Sequence, residues 1–93
     1  MAIQLLSDAE ITERLARLSE WRRDGRCIAR QYVFKDFVEA MRFVNRVASL
    51  AEAADHHPDI TINYRRVTLT LSTHSAGGLT TKDFGLAEQI DAG

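Results

Sequence analysis

The chain has 93 residues, 45% hydrophobic and 27% charged, with 12 Lys and Arg against 13 Asp and Glu. That length suits one domain with a single core, here residues 1–93, because two cores would each bury too little surface to offset their chain entropy. A formal charge of -1 offers no footprint for a nucleic acid or an anionic membrane, no apolar run approaches a bilayer span, and a lone cysteine, Cys27, excludes an intramolecular disulfide.

The opening Met1 to Ser7 has neither the basic start nor the long apolar run of a secretory leader, so a soluble, cytoplasmic chain is expected. Ser7 starts the first helix: it can cap the Glu10 amide, Glu10 can reach back, and Leu6 and Ile11 are placed as a hydrophobic staple. Ile11, Leu15 and Leu18 then form one apolar stripe that predicts a helix to about Ser19. Polar residues around Asp24-Gly25 predict a hairpin turn, with Cys27 to Phe34 as its second strand and Cys27 a small hydrophobe within it.

Lys35-Asp36 introduces the longest helix, roughly Phe37 to Asp55. Its apolar arc is wide, with Phe37, Met41, Val44, Ala48 and Ala51 beside Ala40, Phe43, Val47, Leu50 and Ala54, as suits a helix that packs on a sheet and touches a second helix or another subunit. Pro58 ends it, which leaves His57 extended and His56 at or just past the last turn. Ile60, Ile62 and Tyr64, then Val67, Leu69 and Leu71, alternate with polar residues and predict a hairpin turning at about Arg65-Arg66. Thr68, Thr70 and Ser72 share its polar face, in register with His74 if the strand continues that far. Thr73 to Gly78 reads as a loop, and Thr80 with Asp83 as a second capping box for a helix holding Phe84, Ala87 and Ile90. The order α-β-β-α-β-β-α predicts an α+β fold, an antiparallel four-stranded sheet with three helices on one face.

All three histidines, His56, His57 and His74, fall within 19 positions, which points to proton transfer or metal chemistry. Adjacent residues at a helix-to-strand junction point in different directions, so His56 and His57 make an awkward pair of ligands and no metal is expected. His56 can instead cap the helix C-terminus; alternatively Glu52, four residues earlier on a continuing helix, can orient its imidazole and make it a general acid. Glu52 and Asp55 can also be read as solvated helix residues, and Asp83 as a helix cap with any role in the pocket additional. A tight hairpin brings the start of the third strand, near Pro58, beside the end of the fourth, near His74, so the three histidines are expected to converge.

These residues carry a resemblance. Glu52, then His56-His57-Pro58, Tyr64, His74 and Asp83, at spacings of three, five, nine and eight intervening residues, resemble the signature of the pterin-4a-carbinolamine dehydratases. Phe34-Lys35-Asp36-Phe37, Thr70-Leu71-Ser72-Thr73-His74 and Gly78-Leu79-Thr80 are also similar to that family, so the likeness covers nearly the whole chain. One departure is Ile60, where many members carry an aromatic residue two places after the proline that could stack on the pterin. The resemblance implies the family's four-stranded antiparallel sheet with helices on one side. It also implies dehydration of a 4a-hydroxytetrahydropterin to the quinonoid dihydropterin, the recycling step after aromatic amino acid hydroxylation, with no metal or organic cofactor because the pterin is the substrate. By position, His56, His57 and His74 correspond to the pocket histidines: His56 and His74 for acid and base work, His57 for holding the pterin, with Glu52, Asp55, Pro58 and Asp83 in support. It further implies a homodimer or homotetramer and an aromatic amino acid hydroxylase as a possible partner. The rival readings are a non-catalytic dimerisation or adaptor module for a hydroxylase or transcription factor, as some relatives are, and a small metal-dependent hydrolase.

Overall fold

The structure is a computed structural model that describes residues 4–92. Residues 1–3 and 93, and with them part of the opening stretch read for a leader, lie outside the described residues. The elements run α1 (Asp8–Leu15), β1 (Arg22–Asp24), β2 (Cys27–Val33), α2 (Phe37–Ala54), β3 (Asp59–Asn63), β4 (Arg66–Leu71), a 3₁₀ turn (His74–Ala76) and α3 (Thr81–Ala92). The strands form one antiparallel sheet, as the alternation and turn signals predict, and lie in the order β1-β2-β4-β3.

Helix α1 begins with the expected capping box: the Ser7 amide donates to Glu10 Oε1 at 2.9 Å and the Glu10 amide to Ser7 Oγ at 3.1 Å. The Ser7 amide, then its hydroxyl, hold the Glu10 carboxyl below the usual glutamate range. The helix is shorter than its apolar stripe predicts. It stops at Leu15, and Arg17, Leu18 and Trp21 follow with amides bonded three residues back. Those tighter turns keep Leu18 and Trp21 in the core, where a continuing α-helix would rotate them apart. At the first hairpin Gly25 supplies the left-handed φ of +60°. The second turn falls one residue earlier than predicted, on Tyr64-Arg65, because Arg66 is held in the ladder by Asn63 and Val33. Tyr64 itself takes the left-handed conformation, uncommon for so large a side chain.

The core lies between one face of the sheet, carrying Ile28, Val67, Leu69 and Leu71, and the helices, which contribute Ile11, Ala40, Phe43, Val47, Ala51, Phe84, Leu86, Ala87 and Ile90. Of the wide apolar arc of α2, the flank with Ala40, Phe43, Val47 and Ala51 is buried, while Phe37 and Ala48 face outward. Arg30 shares the core side of the sheet, in register with Leu69. It is neutralised there by Asp91 at the end of α3, 3.1 Å away, whose carboxylate also accepts the indole N–H of Trp21 at 2.8 Å and the Tyr32 hydroxyl at 2.6 Å. The last turn of α3 is thus fastened to β2 by polar bonds as well as by burial.

Candidate active site

Helix α2 ends in a pair of reversed bonds: the Asp55 amide donates to the Glu52 carbonyl at 3.2 Å and the His56 amide to the Ala51 carbonyl at 3.1 Å. Both are possible because Asp55 turns left-handed, at φ 50° and ψ 44°. Aspartate is among the few residues other than glycine that tolerate this. The reversal carries His56 off the helix face on which a spacing of four would have set it above Glu52. The expected Glu52–His56 contact therefore does not form. Glu52 Oε2 instead meets Nε2 of His57 at 2.5 Å on the surface, and His56 turns inward, its Nε2 2.6 Å from Oδ1 of Asp83.

Asp83 stands at the third position of α3 and serves as a cap, as predicted, with Oδ2 accepting the Thr80 amide at 3.0 Å. Its other oxygen belongs to His56. Asp83 is fully buried and His56 nearly so, at 9% exposed, while His57 and Glu52 are both exposed. The predicted hairpin closure holds: Asp59 pairs with Thr70, which sets His57 and Pro58 beside the end of β4. Strand β4 stops at Leu71, however, so His74 is not in line with Thr68 and Thr70. A bridge between Thr73 and Gly78 closes a loop around the 3₁₀ turn that His74 opens, and Gly77 completes it at φ 79°. This loop aims an exposed His74 back toward the end of α2.

One cavity of about 250 Å³ joins these pieces, lined by Asp55, His56, His57, Ser72, Thr73, His74, Ser75 and Lys82. All three histidines and Asp55 are on its wall. Glu52, Pro58 and Asp83 are not: Asp83 backs His56, Glu52 flanks His57, and Pro58 fixes where the helix gives way to β3. Sequence reasoning left out Ser75 and Lys82, and treated Ser72 and Thr73 only as strand and loop residues. Among the described residues, no group of three or more His, Cys, Asp or Glu is arranged to hold a metal ion. Nor is any helix among them long and apolar enough to cross a membrane.

Such an arrangement can move protons. It sets three imidazoles on the wall of one small cavity, two of them already hydrogen-bonded to carboxylates, together with hydroxyls and an ammonium. In comparison with known proteins, residues 4–93 match the family profile described as pterin 4 alpha carbinolamine dehydratase. The chain belongs to that family. A protein of Roseiflexus castenholzii assigned the name pterin-4-alpha-carbinolamine dehydratase is 60% identical over 87 residues, 94% of each chain. One of Thermomicrobium roseum assigned the same name is 56% identical over 85 residues, 91% of each. Among solved structures, a transcriptional coactivator/pterin dehydratase from Brucella melitensis superposes with a TM-score of 0.91 at 41% identity, over 96% of this chain and 97% of that one. A pterin dehydratase-like protein described as a RuBisCO assembly factor in the alpha-carboxysome shares the fold, with a TM-score of 0.67 at 24% identity over 78% of this chain and 87% of that one.

Proposed function

We propose that this chain dehydrates a 4a-hydroxytetrahydropterin to the quinonoid dihydropterin, in the cytoplasmic recycling of tetrahydropterin, without metal or organic cofactor. The observation that carries this reading is that His56, His57 and His74 share the wall of one cavity. One imidazolium gives a proton to the leaving hydroxyl, the C–O bond breaks, and water departs. A neutral imidazole takes the proton of the adjacent ring N–H, whose electron pair closes the C=N bond of the product. His56 and His74 are suited to these two steps, since they approach the cavity from different elements. His57, held by Glu52 at the surface, positions the pterin. Ser72, Ser75 and Lys82 offer polar contacts to the substrate's edge, which Ile60 does not supply by stacking.

Purified protein should accelerate the decay of enzymatically generated 4a-hydroxytetrahydropterin, followed by absorbance. His56→Ala and His74→Ala should each lower kcat by about 10²- to 10³-fold, the scale for losing one acid or base. A wild-type rate equal to that of buffer would rule the reading out. A second reading, an adaptor, is favoured by the coactivator description of the Brucella structure and by the exposed Val33, Phe37, Val38, Ile62 and Tyr64. On that reading, binding to a hydroxylase or a transcription factor would survive His74→Ala unchanged. We further propose a homodimer or homotetramer, which would cover those side chains and the free edge of β3; light scattering of the purified chain decides it.

A further inference from the structure

Asp83 is completely buried, and its two oxygens face different neighbours. Oδ2 accepts the Thr73 hydroxyl at 2.8 Å and the Thr80 amide at 3.0 Å, while Oδ1 lies 2.6 Å from His56 Nε2. A hydroxyl has one proton, so with that of Thr73 given to Asp83, the 2.8 Å contact between Thr73 Oγ1 and Thr80 Oγ1 is donated by Thr80. The Thr80 oxygen in turn accepts the Lys82 amide at 3.2 Å. Every proton in the cluster is thereby directed toward the carboxylate. An ionised carboxylate only accepts, so His56 must offer it a proton on Nε2. With Nε2 committed, Nδ1 is the ring nitrogen left for the cavity that His56 lines.

We propose that Thr73 and Thr80, acting through Asp83, are positioning residues that hold neutral His56 in the Nε2–H tautomer, so that Nδ1 is the atom that exchanges a proton with the pterin. This rests on reading the cavity as a pterin dehydratase site. The two threonines are 3% and 0% exposed, where apolar residues of similar volume would pack as well and bury no hydroxyl. Their hydroxyls do what a methyl cannot: they fix which way the carboxylate faces and leave it a single role toward His56. His57 lacks such a device, since its partner Glu52 stands on the surface. A histidine whose tautomer is set by a buried, separately anchored carboxylate is the usual arrangement of a catalytic base.

Two-bond ¹H–¹⁵N correlation spectra of the full chain, labelled at histidine, report the tautomer of the resting protein directly. Neutral His56 should show a protonated Nε2 and a bare Nδ1; the reverse overturns the proposal. In Asp83→Asn the amide oxygen must stay toward the two donors on the Thr80 side, which turns the NH2 to His56. The tautomer should then flip to Nδ1–H and kcat should fall by about a thousandfold or more. Thr73→Val removes one anchor while keeping the shape: kcat should drop about tenfold with KM within about twofold, Nδ1–H signal should appear, and Thr73→Ser should restore both. A folded Thr73→Val protein with wild-type kcat and an unmixed tautomer would overturn the role of the threonines, and does so even if Asp83→Asn does not fold. The expected tautomer in a wild-type chain without dehydratase activity would sink the functional reading alone, because the spectrum is read without substrate.

Discussion

His56 and His57 are neighbours in the chain, and each meets a carboxylate oxygen through Nε2, yet the two pairs are physically unlike. His56 and Asp83 are 10% and 0% exposed at the side chain, and four further hydrogen bonds brace the carboxylate and its threonines. His57 and Glu52 are 56% and 78% exposed, with no bracing bond of this kind among the described residues. In the first pair, low dielectric and exclusion of water make the bond costly to break and the geometry narrow. In the second, water competes for both partners and two mobile side chains must be ordered to meet. The difference separates a histidine built to have one orientation from one built to adjust, as the roles proposed for them, proton transfer and substrate holding, respectively demand.

The largest expected effect comes from breaking the buried pair. Asp83→Ala leaves His56 facing an apolar gap, strands the Thr73 hydroxyl and removes the cap of α3. Stability should fall by roughly 3–5 kcal/mol, the scale for removing one partner of a buried pair. Urea denaturation at neutral pH measures it, and a loss under about 1 kcal/mol would erase the distinction drawn between the two histidines.

How far this contrast was legible in the sequence depends on which interactions are local. The element order, the Ser7 and Asp83 caps and the closure that brings His57 near His74 follow from periodicity and turn chemistry, which act over a few residues. Which carboxylate serves which histidine did not follow. Spacing assigned Glu52 to His56, and a single left-handed residue, Asp55, reversed the chain and reassigned it to His57. Aspartate just before a His-His-Pro stop was the available signal, since it is one of the residues that tolerates that conformation. The role of Thr73 was hidden for another reason: its partners, Thr80 and Asp83, lie across a loop whose closure depends on the Thr73–Gly78 bridge. The early end of α1 likewise reflects the demand of Leu18 and Trp21 for the core, a tertiary preference that the apolar stripe alone does not carry.

Between the two extremes stands Asp91, with its side chain 21% exposed and bonds to Trp21, Tyr32 and Arg30. Asp91→Ala should cost about 1–3 kcal/mol, chiefly by leaving the indole N–H of a buried tryptophan without an acceptor. The same cluster predicts a response to alkali. Burial pushes the Tyr32 hydroxyl well above its ordinary value, and its bond to the Asp91 carboxylate pushes it further. The folded chain therefore keeps this phenol protonated to higher pH than the unfolded chain does. Its contribution is complete below about pH 10, where unfolded tyrosine begins to ionise, and is lost as pH rises above that toward the folded value. Urea midpoints at pH 8 and pH 11 should fall further for wild type than for Tyr32→Phe; equal declines would mean that Asp91 does not confine the hydroxyl.

The smallest effect belongs to the exposed pair. Glu52→Gln should change stability by less than about 1 kcal/mol, as is usual for a surface ion pair. Any difference from wild type at low salt should vanish near 1 M, where the screening length is only about 3 Å. Because His57 is assigned to holding the pterin, the kinetic signature should be a rise of a few-fold in KM with kcat nearly unchanged, the pattern of lost uniform binding. Parallel denaturation and rate measurements on Glu52→Gln and Asp83→Ala therefore separate burial from the mere presence of a carboxylate. Should Glu52→Gln cost as much as Asp83→Ala, or lower kcat as steeply, the surface pair would be as constrained as the buried one and exposure could not be what divides their roles.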